Sequence, residues 1–437
     1  MSSWGTATIG TLFARGATLM MNAMTGALIA RQLSPSGRGT YYVLVSIAIM
    51  ATLIGNLSID QALVSRWQNV RDRPSLRANC LFLGPILGLI SAVVAGVAVI
   101  WGSGTARPYD GITLVIALTM PSIVITSTYL AGVLGLEGRI VLVTWGSFAG
   151  SASQFVLLLL LMGTGGLTIG TAVPLWVLST AVPLLLYLRG GRFRRVPLDL
   201  GLAVRTLTLG VRNHVGLVAT QLLLRVDLLM VDAADSAQAA GLFSIATTLI
   251  DLVFVATSSL SLIALSRQAD EELADAAAIT AKATRVAGLV GAVSMAVLCG
   301  AAPVMIPLVY GADFRDSLFP LLGLAPGLLI FNATRPLWTH LLRLNRPGLA
   351  ATISLSVFAL NAALSLALLP VLGGLGCAIA SSVAYACLGI LQTVWFLRTT
   401  GLPVSAVVAG PAEVRAVLAM AGRLASRRKP PVLAERP

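Results

Sequence analysis

The sequence predicts an all-α protein that crosses a membrane about twelve times, at roughly 20 apolar residues per crossing. Of the 437 residues, 57% are hydrophobic and only 11% are charged, and the mean hydropathy is +0.90. A chain with so little polar surface cannot cover a water-soluble globule of this size. Long apolar runs recur along the chain, and the basic residues are concentrated in alternate connections between them. The predicted architecture is therefore a polytopic helical bundle.

Twelve apolar segments are long enough to cross a bilayer core of roughly 30 Å as helices. In chain order they lie near residues 6–30, 40–65, 80–101, 111–136, 140–162, 167–188, 208–232, 240–266, 284–309, 317–342, 348–370 and 375–397. The first span has no basic region before it and no small-residue cleavage site after it. We therefore expect it to be retained rather than removed as a signal peptide.

The basic residues predict the orientation of the spans. Of the 30 lysines and arginines, most fall in the connections of one side and in the C-terminal tail. The connections of the opposite side hold only Arg31, Arg38, Arg107 and Arg315. The positive-inside rule then places both termini in the cytoplasm.

Two six-helix lobes are predicted from the most basic internal connection and from an internal repeat. Alignment of Gly39 with Gly241, an offset of 202 residues, superposes most spans of the first half on spans of the second. Six is an even number, so the lobes are predicted to be parallel repeats about a pseudo-two-fold axis along the membrane normal, with the substrate path between them. The predicted units are an N-terminal lobe (1–188), a basic cytoplasmic linker (189–207), a C-terminal lobe (208–398) and a basic cytoplasmic tail (399–437).

Enzyme and metal motifs are absent from the sequence. Lys282 and Lys429 are the only lysines and neither completes a P-loop, and no HExxH, GxSxG or paired-cysteine signature occurs. The four cysteines lie singly in apolar runs, and only His214 and His340 are available as further metal ligands. We therefore expect no enzymatic activity, no cofactor and no metal site. Nucleic acid is not an expected partner, because the positive charge is sorted by membrane side.

Ionisable and amide side chains inside the predicted spans mark a binding site, because each costs several kcal/mol in the bilayer. At about 100° per residue, His214, Gln221 and Arg225 share one face of the seventh span, and Asp227 points elsewhere. Spans 1, 2, 8 and 10 also contribute polar side chains. The candidate substrate-binding residues are Arg15, Asn22, His214, Gln221, Arg225 and Arg335, and the candidate ion-coupling residues are Asp60, Asp227 and Asp251.

Two interpretations of these charges remain open at the sequence level. Arg225 either faces a cavity or pairs with Asp227 or Asp251 to hold helices together. For Arg15 and Arg335 the cavity is favoured, because no carboxylate lies within one helical turn of either. Guanidinium groups keep their charge and bind phosphate oxygens in pairs, so several arginines in one cavity suit an anionic, phosphate-bearing substrate.

Four stretches carry a family resemblance. They are LIARQLSPSGRGTYY (28–42), LRVDLLMVDAADSAQAAGLFSIATTL (224–249), PLVYGADFRDSLFPLLGLAP (307–326) and LLPVLGGLGCAIASSVAY (368–385). In order and spacing they resemble the polysaccharide-type (Wzx-like) flippases of the multidrug/oligosaccharidyl-lipid/polysaccharide (MOP) exporter superfamily, to which the MATE transporters also belong. The resemblance covers nearly the whole chain to about residue 397.

The resemblance implies a V-shaped pair of six-helix lobes in the bacterial inner membrane that flips an undecaprenyl-pyrophosphate-linked oligosaccharide from the inner to the outer leaflet. It implies head-group contacts at Arg15, Arg225 and Arg335, and ion coupling at Asp60 and Asp251. Membrane lipids, and the polymerase and glycosyltransferases of the same pathway, are then the expected partners. Twelve spans rather than fourteen disfavour a dedicated peptidoglycan-precursor flippase. The near absence of lysine means that arginine must supply the positive charge.

The expected function is therefore export of a lipid-linked oligosaccharide for exopolysaccharide or O-antigen synthesis by alternating access. A multidrug or organic-cation antiporter of the same superfamily is a second possibility, although its cavity would require carboxylates rather than arginines. A third is a non-transporting membrane scaffold for polysaccharide assembly that recruits a glycosyltransferase through the basic tail, for which a basic amphipathic helix on anionic lipid is one conformation.

Overall fold

The computed structural model of the protein describes residues 3–102, 109–191, 198–268, 273–343 and 347–410, together with Arg415. Nearly all of these residues are helical, and no strand occurs among them. The helices are α1 (Ser3–Gly55), α2 (Ile59–Arg66), α3 (Arg73–Gly102), α4 (Gly111–Ala117), α5 (Met120–Leu136), α6 (Ile140–Gly163), α7 (Ile169–Gly190), α8 (Leu200–Leu223), α9 (Val226–Ala234), α10 (Ala237–Gln268), α11 (Leu273–Tyr310), α12 (Leu318–Arg343) and α13 (Pro347–Thr400).

Helices α1 and α13 are each a hairpin of two spans. At 53 residues, α1 would extend about 80 Å if straight, more than twice the bilayer core. Its backbone leaves the helical region at Ser34 (φ 58°, ψ 171°), directly before Pro35. Arg38 Nη1 donates to the carbonyl oxygen of Gly26 at 2.5 Å, although twelve residues separate them. The chain therefore turns back on itself at Ser34.

The hairpin in α13 reverses at Gly373, whose positive φ of 56° favours glycine. Ser381 Oγ lies 3.2 Å from Asn361 Oδ1, twenty residues earlier in the chain. In a straight helix these atoms would lie about 30 Å apart. The second half of α13 therefore packs along the first.

The described residues contain nine helices long and apolar enough to cross a membrane, and the pair formed by α8 and α9, bent by 44°, makes a tenth unit. Because α1 and α13 each fold back on themselves, the described residues provide twelve segments that can cross a membrane. The predicted multi-pass, all-α fold is confirmed, and the protein is a multi-pass membrane protein.

The start of the seventh span differs from the sequence prediction. Helix α8 begins at Leu200, where the side chain of Asp199 accepts a hydrogen bond from Leu202 N at 2.8 Å. An N-cap carboxylate satisfies a free N–H of the first turn, so the helix starts inside the predicted linker. Residues 192–197 of that linker lie outside the described residues. So does the tail beyond residue 410 apart from Arg415, which includes the predicted amphipathic helix.

The two lobes touch through a pair of glycines at one end of the bundle. A Cβ atom at Gly39 would overlap the Ala237 carbonyl oxygen and lie 2.8 Å from its carbon. A Cβ at Gly241 would meet the carbonyl group of Pro35 in the same way, again 2.8 Å from the carbon. Gly39 is 202 residues from Gly241, and Pro35 is 202 residues from Ala237, so the two halves of this contact follow the predicted pseudo-two-fold repeat. Only glycine allows two helix backbones to approach so closely.

A second contact between the lobes lies near the other end of the second span. A Cβ atom at Gly210 on α8 would overlap the carbonyl oxygen of Leu57. Leu57 and Ser58 both adopt positive φ, 46° and 50°, and so mark a strained break between α1 and α2. His214, one turn further along α8, binds this break. The central cavity lies between these two contacts.

Candidate functional site

A cavity of about 280 Å³ lies between the lobes. The second half of the α1 hairpin supplies Tyr42 and Ser46, and the break between α8 and α9 supplies Arg225. Residues of both lobes line the cavity: Leu19, Asn22, Ala23, Tyr42, Ser46, Leu224, Arg225, Leu228, Phe243, Thr247, Thr248, Asp251, Leu252 and Tyr310. The site is thus built by elements that would separate if the lobes moved apart.

Arg225 lies at the break in the seventh span. Its backbone (φ −130°, ψ −23°) is not helical, and α9 begins at the next residue. A broken span exposes the N–H groups of a helix N-terminus at membrane depth, which favours an anion. Arg225 therefore adds its charge where the helix end already attracts negative groups.

Arg225 forms an ion pair with Asp251, and both side chains remain open to the cavity. Arg225 Nη2 and Asp251 Oδ2 are 3.2 Å apart, and the side chains are 39% and 44% exposed. One hydrogen bond to a carboxylate leaves most of the five guanidinium donors available. Of the two pairings considered from the sequence, the structure forms the one with Asp251. Arg225 is therefore both paired with Asp251 and exposed to the cavity.

Two further arginines lie next to the cavity. The guanidinium of Arg335 lies over the ring of Phe254, 5.1 Å from its centroid, and interacts electrostatically with Asp251. Arg38 is 0% exposed, and its guanidinium lies 4.4 Å and 5.5 Å from the ring centroids of Tyr42 and Tyr310, which both line the cavity. One carboxylate is therefore surrounded by more than one arginine.

Arg38 is buried, whereas the sequence predicted that it lies in an external connection. Its Nε donates to Ser244 Oγ at 2.9 Å, and Nη2 lies 3.4 Å from Thr248 Oγ1. Hydroxyls and aromatic rings more than 200 residues away replace the carboxylate that a buried arginine usually requires. Only the proximity to the Ser34 turn was visible in the sequence, and it suggested a solvated loop.

Asn22 lines the cavity together with Arg225 and Asp251, but Arg15, Gln221 and Asp60 lie elsewhere. Arg15 is exposed on α1, and Gln221 is half-buried on α8. Neither is among the lining residues of the cavity. Asp60 accepts a hydrogen bond from Asn56 Nδ2 at 3.0 Å within the N-terminal lobe.

His214 connects the lobes outside the cavity. Its Nε2 lies 3.1 Å from the carbonyl oxygen of Ile54, and its Nδ1 lies 2.9 Å from Ser58 Oγ. A carbonyl oxygen only accepts, so Nε2 carries the proton and Nδ1 accepts from the serine hydroxyl. Both ring nitrogens are therefore occupied by structural hydrogen bonds.

Asp227 lies in a separate buried cluster within the C-terminal lobe. It is 2% exposed, with Asn361 Nδ2 at 2.9 Å from Oδ1 and Ser381 Oγ at 2.5 Å from Oδ2. Ser365 Oγ and Cys377 Sγ, 3.5 Å apart, lie beside it. No cationic side chain of the described residues is within ion-pair distance of Asp227. Sequence reasoning selected Asp227 but not its partners, which lie on both halves of the α13 hairpin.

Hydrogen bonding in this cluster is incomplete when Asp227 is ionised. Ser381 Oγ lies close both to the carboxylate and, at 3.2 Å, to Asn361 Oδ1. A hydroxyl has one proton, so Asp227 Oδ2 and Asn361 Oδ1 compete for the single hydrogen of Ser381. The cluster suits a proton or a monovalent cation coordinated by neutral oxygens and one carboxylate. Within the described ranges, no group of three or more His, Cys, Asp or Glu side chains could hold a metal ion.

The fold is shared with solved transporters of the MOP superfamily. No protein-family model and no curated protein sequence matches the chain. A multidrug resistance MATE family transporter in an inward-facing conformation matches with a TM-score of 0.70 and 17% identity, covering 88% of this chain and 94% of that one.

Two other solved structures share this fold. The lipid II flippase MurJ, in an inward closed conformation, matches with a TM-score of 0.69 and 16% identity over 97% of this chain and 93% of its own. A MOP superfamily transporter from Pyrococcus furiosus, whose binding pocket is described as having reverse polarity, matches with a TM-score of 0.63 and 13% identity. The match covers 90% of this chain and 94% of that one. At these identities the likeness concerns the fold alone.

Proposed function

We propose that the protein is a flippase that moves a polyprenyl-pyrophosphate-linked oligosaccharide across the bacterial inner membrane by alternating access. Its product would supply exopolysaccharide or O-antigen synthesis, with the polymerase and glycosyltransferases of that pathway as partners. The observation that carries the proposal is the charge balance of the central cavity. Arg225 and Arg335 both interact with one carboxylate, Asp251, which leaves a net positive charge between the lobes.

A pyrophosphate group matches this cavity better than a cation does. The guanidinium of Arg225 keeps its charge and offers paired donors to phosphate oxygens, and the N-terminus of α9 lies beside it. Charge-assisted hydrogen bonds of this kind contribute about 1.5–3 kcal/mol each. The lipid II flippase of the same fold is a precedent for a lipid-linked substrate in this architecture.

We further propose that Asp227 carries the coupling ion. A buried carboxylate with no cationic partner must be neutralised, by a proton or by a monovalent cation that replaces it. Ser381 and Asn361 supply further oxygens to the same position. Asp227 follows Arg225 by two residues on α9, so a change of charge at Asp227 acts on the helix that presents Arg225 to the substrate.

An organic-cation antiporter is the second candidate function. The observation in its favour is Asp251, whose carboxylate is 44% exposed in the central cavity. A MATE family multidrug transporter has the same fold. In this alternative Asp251 would bind the drug and Arg225 would be displaced from it.

Transbilayer movement in proteoliposomes separates the two candidates. The native protein is expected to move a labelled polyprenyl-pyrophosphate sugar, and Arg225→Ala is expected to reduce this movement strongly. Arg398→Ala is the matched control, because Arg398 is exposed at the end of α13 and outside the cavity. Exchange of an organic cation for protons or sodium, with no movement of the lipid, would refute the flippase and leave the fold unchanged.

A further inference from the structure

A second cavity, of about 480 Å³, lies inside the N-terminal lobe. Ten of its fourteen lining residues carry a hydroxyl or an amide, and none carries a charge. The lining comes from α1, α5, α6 and α7, near the middle of the spans that they form. A polar, uncharged cavity at this depth differs from the arginine cavity between the lobes in the ligand chemistry that it suits.

The sequence of α6 builds one wall of this cavity. Ser147, Ser151 and Gln154 are spaced by four and three residues, so they share one helix face. Gly150 lies next to that face, and a Cβ atom there would lie 2.9 Å from Pro183 Cγ. The glycine lets α6 lie close against α7, which brings Thr180 on α7 to the same cavity.

Several polar side chains of the cavity have no partner among the described residues. The side chains of Asn22, Ser127, Thr128, Ser151 and Gln154 make no hydrogen bond in this part of the chain. Ser153, on the opposite side of α6, is different: its Oγ donates to the Gly150 carbonyl oxygen at 2.8 Å. Free polar groups at membrane depth are costly unless water or a ligand satisfies them. They are therefore available to a bound molecule.

The chemistry of the lining selects an uncharged, polyhydroxylated ligand. Sugar hydroxyls both donate and accept, as do the Ser and Thr hydroxyls, and the amides of Asn22 and Gln154 add donors and acceptors. An acidic sugar would bring a carboxylate into a cavity with no cationic group among its lining residues, and an unpaired buried charge is strongly unfavourable. The volume falls in the range of small-ligand sites, roughly 300–1,000 Å³.

Asn22 connects the two cavities, because it lines both. A pyrophosphate held near Arg225 would therefore have its attached sugars directed past Asn22 into the N-terminal lobe. We propose that the hydroxyl-lined cavity of the N-terminal lobe is the glycan subsite, and that it selects lipid-linked oligosaccharides whose first sugars are uncharged. This inference rests on the proposed flippase function.

Three labelled lipids test the proposal against the full-length protein in nanodiscs: bare polyprenyl pyrophosphate, the same lipid with a neutral disaccharide, and the same lipid with a uronic acid. The neutral glycolipid is expected to bind more tightly than the bare lipid, and the acidic one at least tenfold more weakly than the neutral one. Thr128→Val and Gln154→Leu keep the side-chain volume and remove hydrogen bonds. Each is expected to weaken the neutral glycolipid about three- to tenfold and to leave the bare lipid unchanged.

Ser153→Ala is the matched control on the same helix and is expected to change none of the three affinities. Equal affinity for neutral and acidic glycolipids would overturn the glycan subsite, and so would an equal loss for all three lipids in the Thr128 and Gln154 variants. In both cases the flippase proposal stands, because the bare lipid still binds. If no lipid pyrophosphate binds at all, the proposed function fails and the glycan subsite fails with it.

Discussion

Replacement of Gly241 by alanine is expected to weaken the contact that holds the two lobes together at the Ser34 end of the bundle. The new Cβ atom would lie 2.8 Å from the Pro35 carbonyl carbon and would overlap the carbonyl oxygen. Ordinary contact begins at about 3.4 Å, so a separation of 0.6 Å relieves the contact with the carbon, and the overlap with the oxygen requires the helix backbones to separate further. The hydrogen bond from Arg38 to Ser244, one turn along α10, depends on the same approach.

The magnitude follows from the cost of overpacking, about 1–3 kcal/mol for an added methyl group in a tight contact. A conformation in which the lobes have separated at this end does not contain the contact and does not incur this cost. The ratio of separated to closed molecules is therefore expected to rise roughly 5- to 150-fold. Gly39→Ala is expected to have the same effect, because the two glycines are equivalent in the repeat.

Distance measurements between two spin labels test this expectation. Ser36 and Gln238 are exposed at the same end of the bundle and are suitable labelling positions, after replacement of the four native cysteines. Gly300→Ala is the control, because no atom lies within 4 Å of a Cβ at that position. A distance distribution that is identical in Gly241→Ala and Gly300→Ala would refute the assignment of this contact as a closure between the lobes.

Four further perturbations have defined outcomes. Asp227→Asn is expected to abolish stabilisation of the protein by its coupling ion. The measurement is the shift in unfolding temperature between sodium and potassium buffers and across pH. A shift equal to that of the native protein would show that Asp227 does not bind the coupling ion. Asp251→Asn is expected to tighten binding of polyprenyl pyrophosphate, because Arg225 and Arg335 lose their counter-charge, whereas in a cation antiporter it would abolish drug binding. His214→Ala is expected to lower the free energy of unfolding by about 1–3 kcal/mol through two lost hydrogen bonds, without changing lipid affinity; a loss of affinity would place His214 in the substrate site. Deletion of residues 411–437 is expected to leave lipid translocation intact in proteoliposomes, and its loss would favour the scaffold function.

Hydropathy was sufficient to predict the all-α, multi-pass fold, and the orientation derived from charge sorting stays a prediction. Each span needs only its own apolar length, and the orientation depends on the connections, so both are local properties of the sequence. The repeat offset of 202 residues was also visible, through Gly39 and Gly241. That these glycines touch each other is a property of the packed lobes, and the sequence alone did not reveal it.

The candidate site was harder to predict from the sequence than the fold was. Helical periodicity selects residues that share a face, but it does not reveal what that face meets. His214 and Arg225 share a stripe on the seventh span, yet the first binds the strained turn at Ser58 and the second opens into the cavity. The bend between α8 and α9 turns the side chains of His214 and Arg225 in different directions. No proline or glycine at Arg225 indicates this bend in the sequence.

The hydroxyl-lined cavity could not be predicted from the sequence for a related reason. Serine and threonine are common in membrane helices, where they bind their own backbone, as Ser153 does. Ser151 and Thr128 also carry a hydroxyl, but theirs has no such partner among the described residues. Only the three-dimensional arrangement distinguishes a free hydroxyl from a satisfied one.

The binding of polyprenyl pyrophosphate to native protein and to Arg225→Gln in nanodiscs tests most directly whether the central cavity holds a pyrophosphate. Glutamine retains part of the side-chain length and its polarity but removes the charge. Loss of charge-assisted hydrogen bonds is expected to weaken binding about 10- to 100-fold, and Arg398→Gln is expected to have no effect. Equal affinity of the native and Arg225→Gln proteins would contradict a role for this arginine in holding the pyrophosphate.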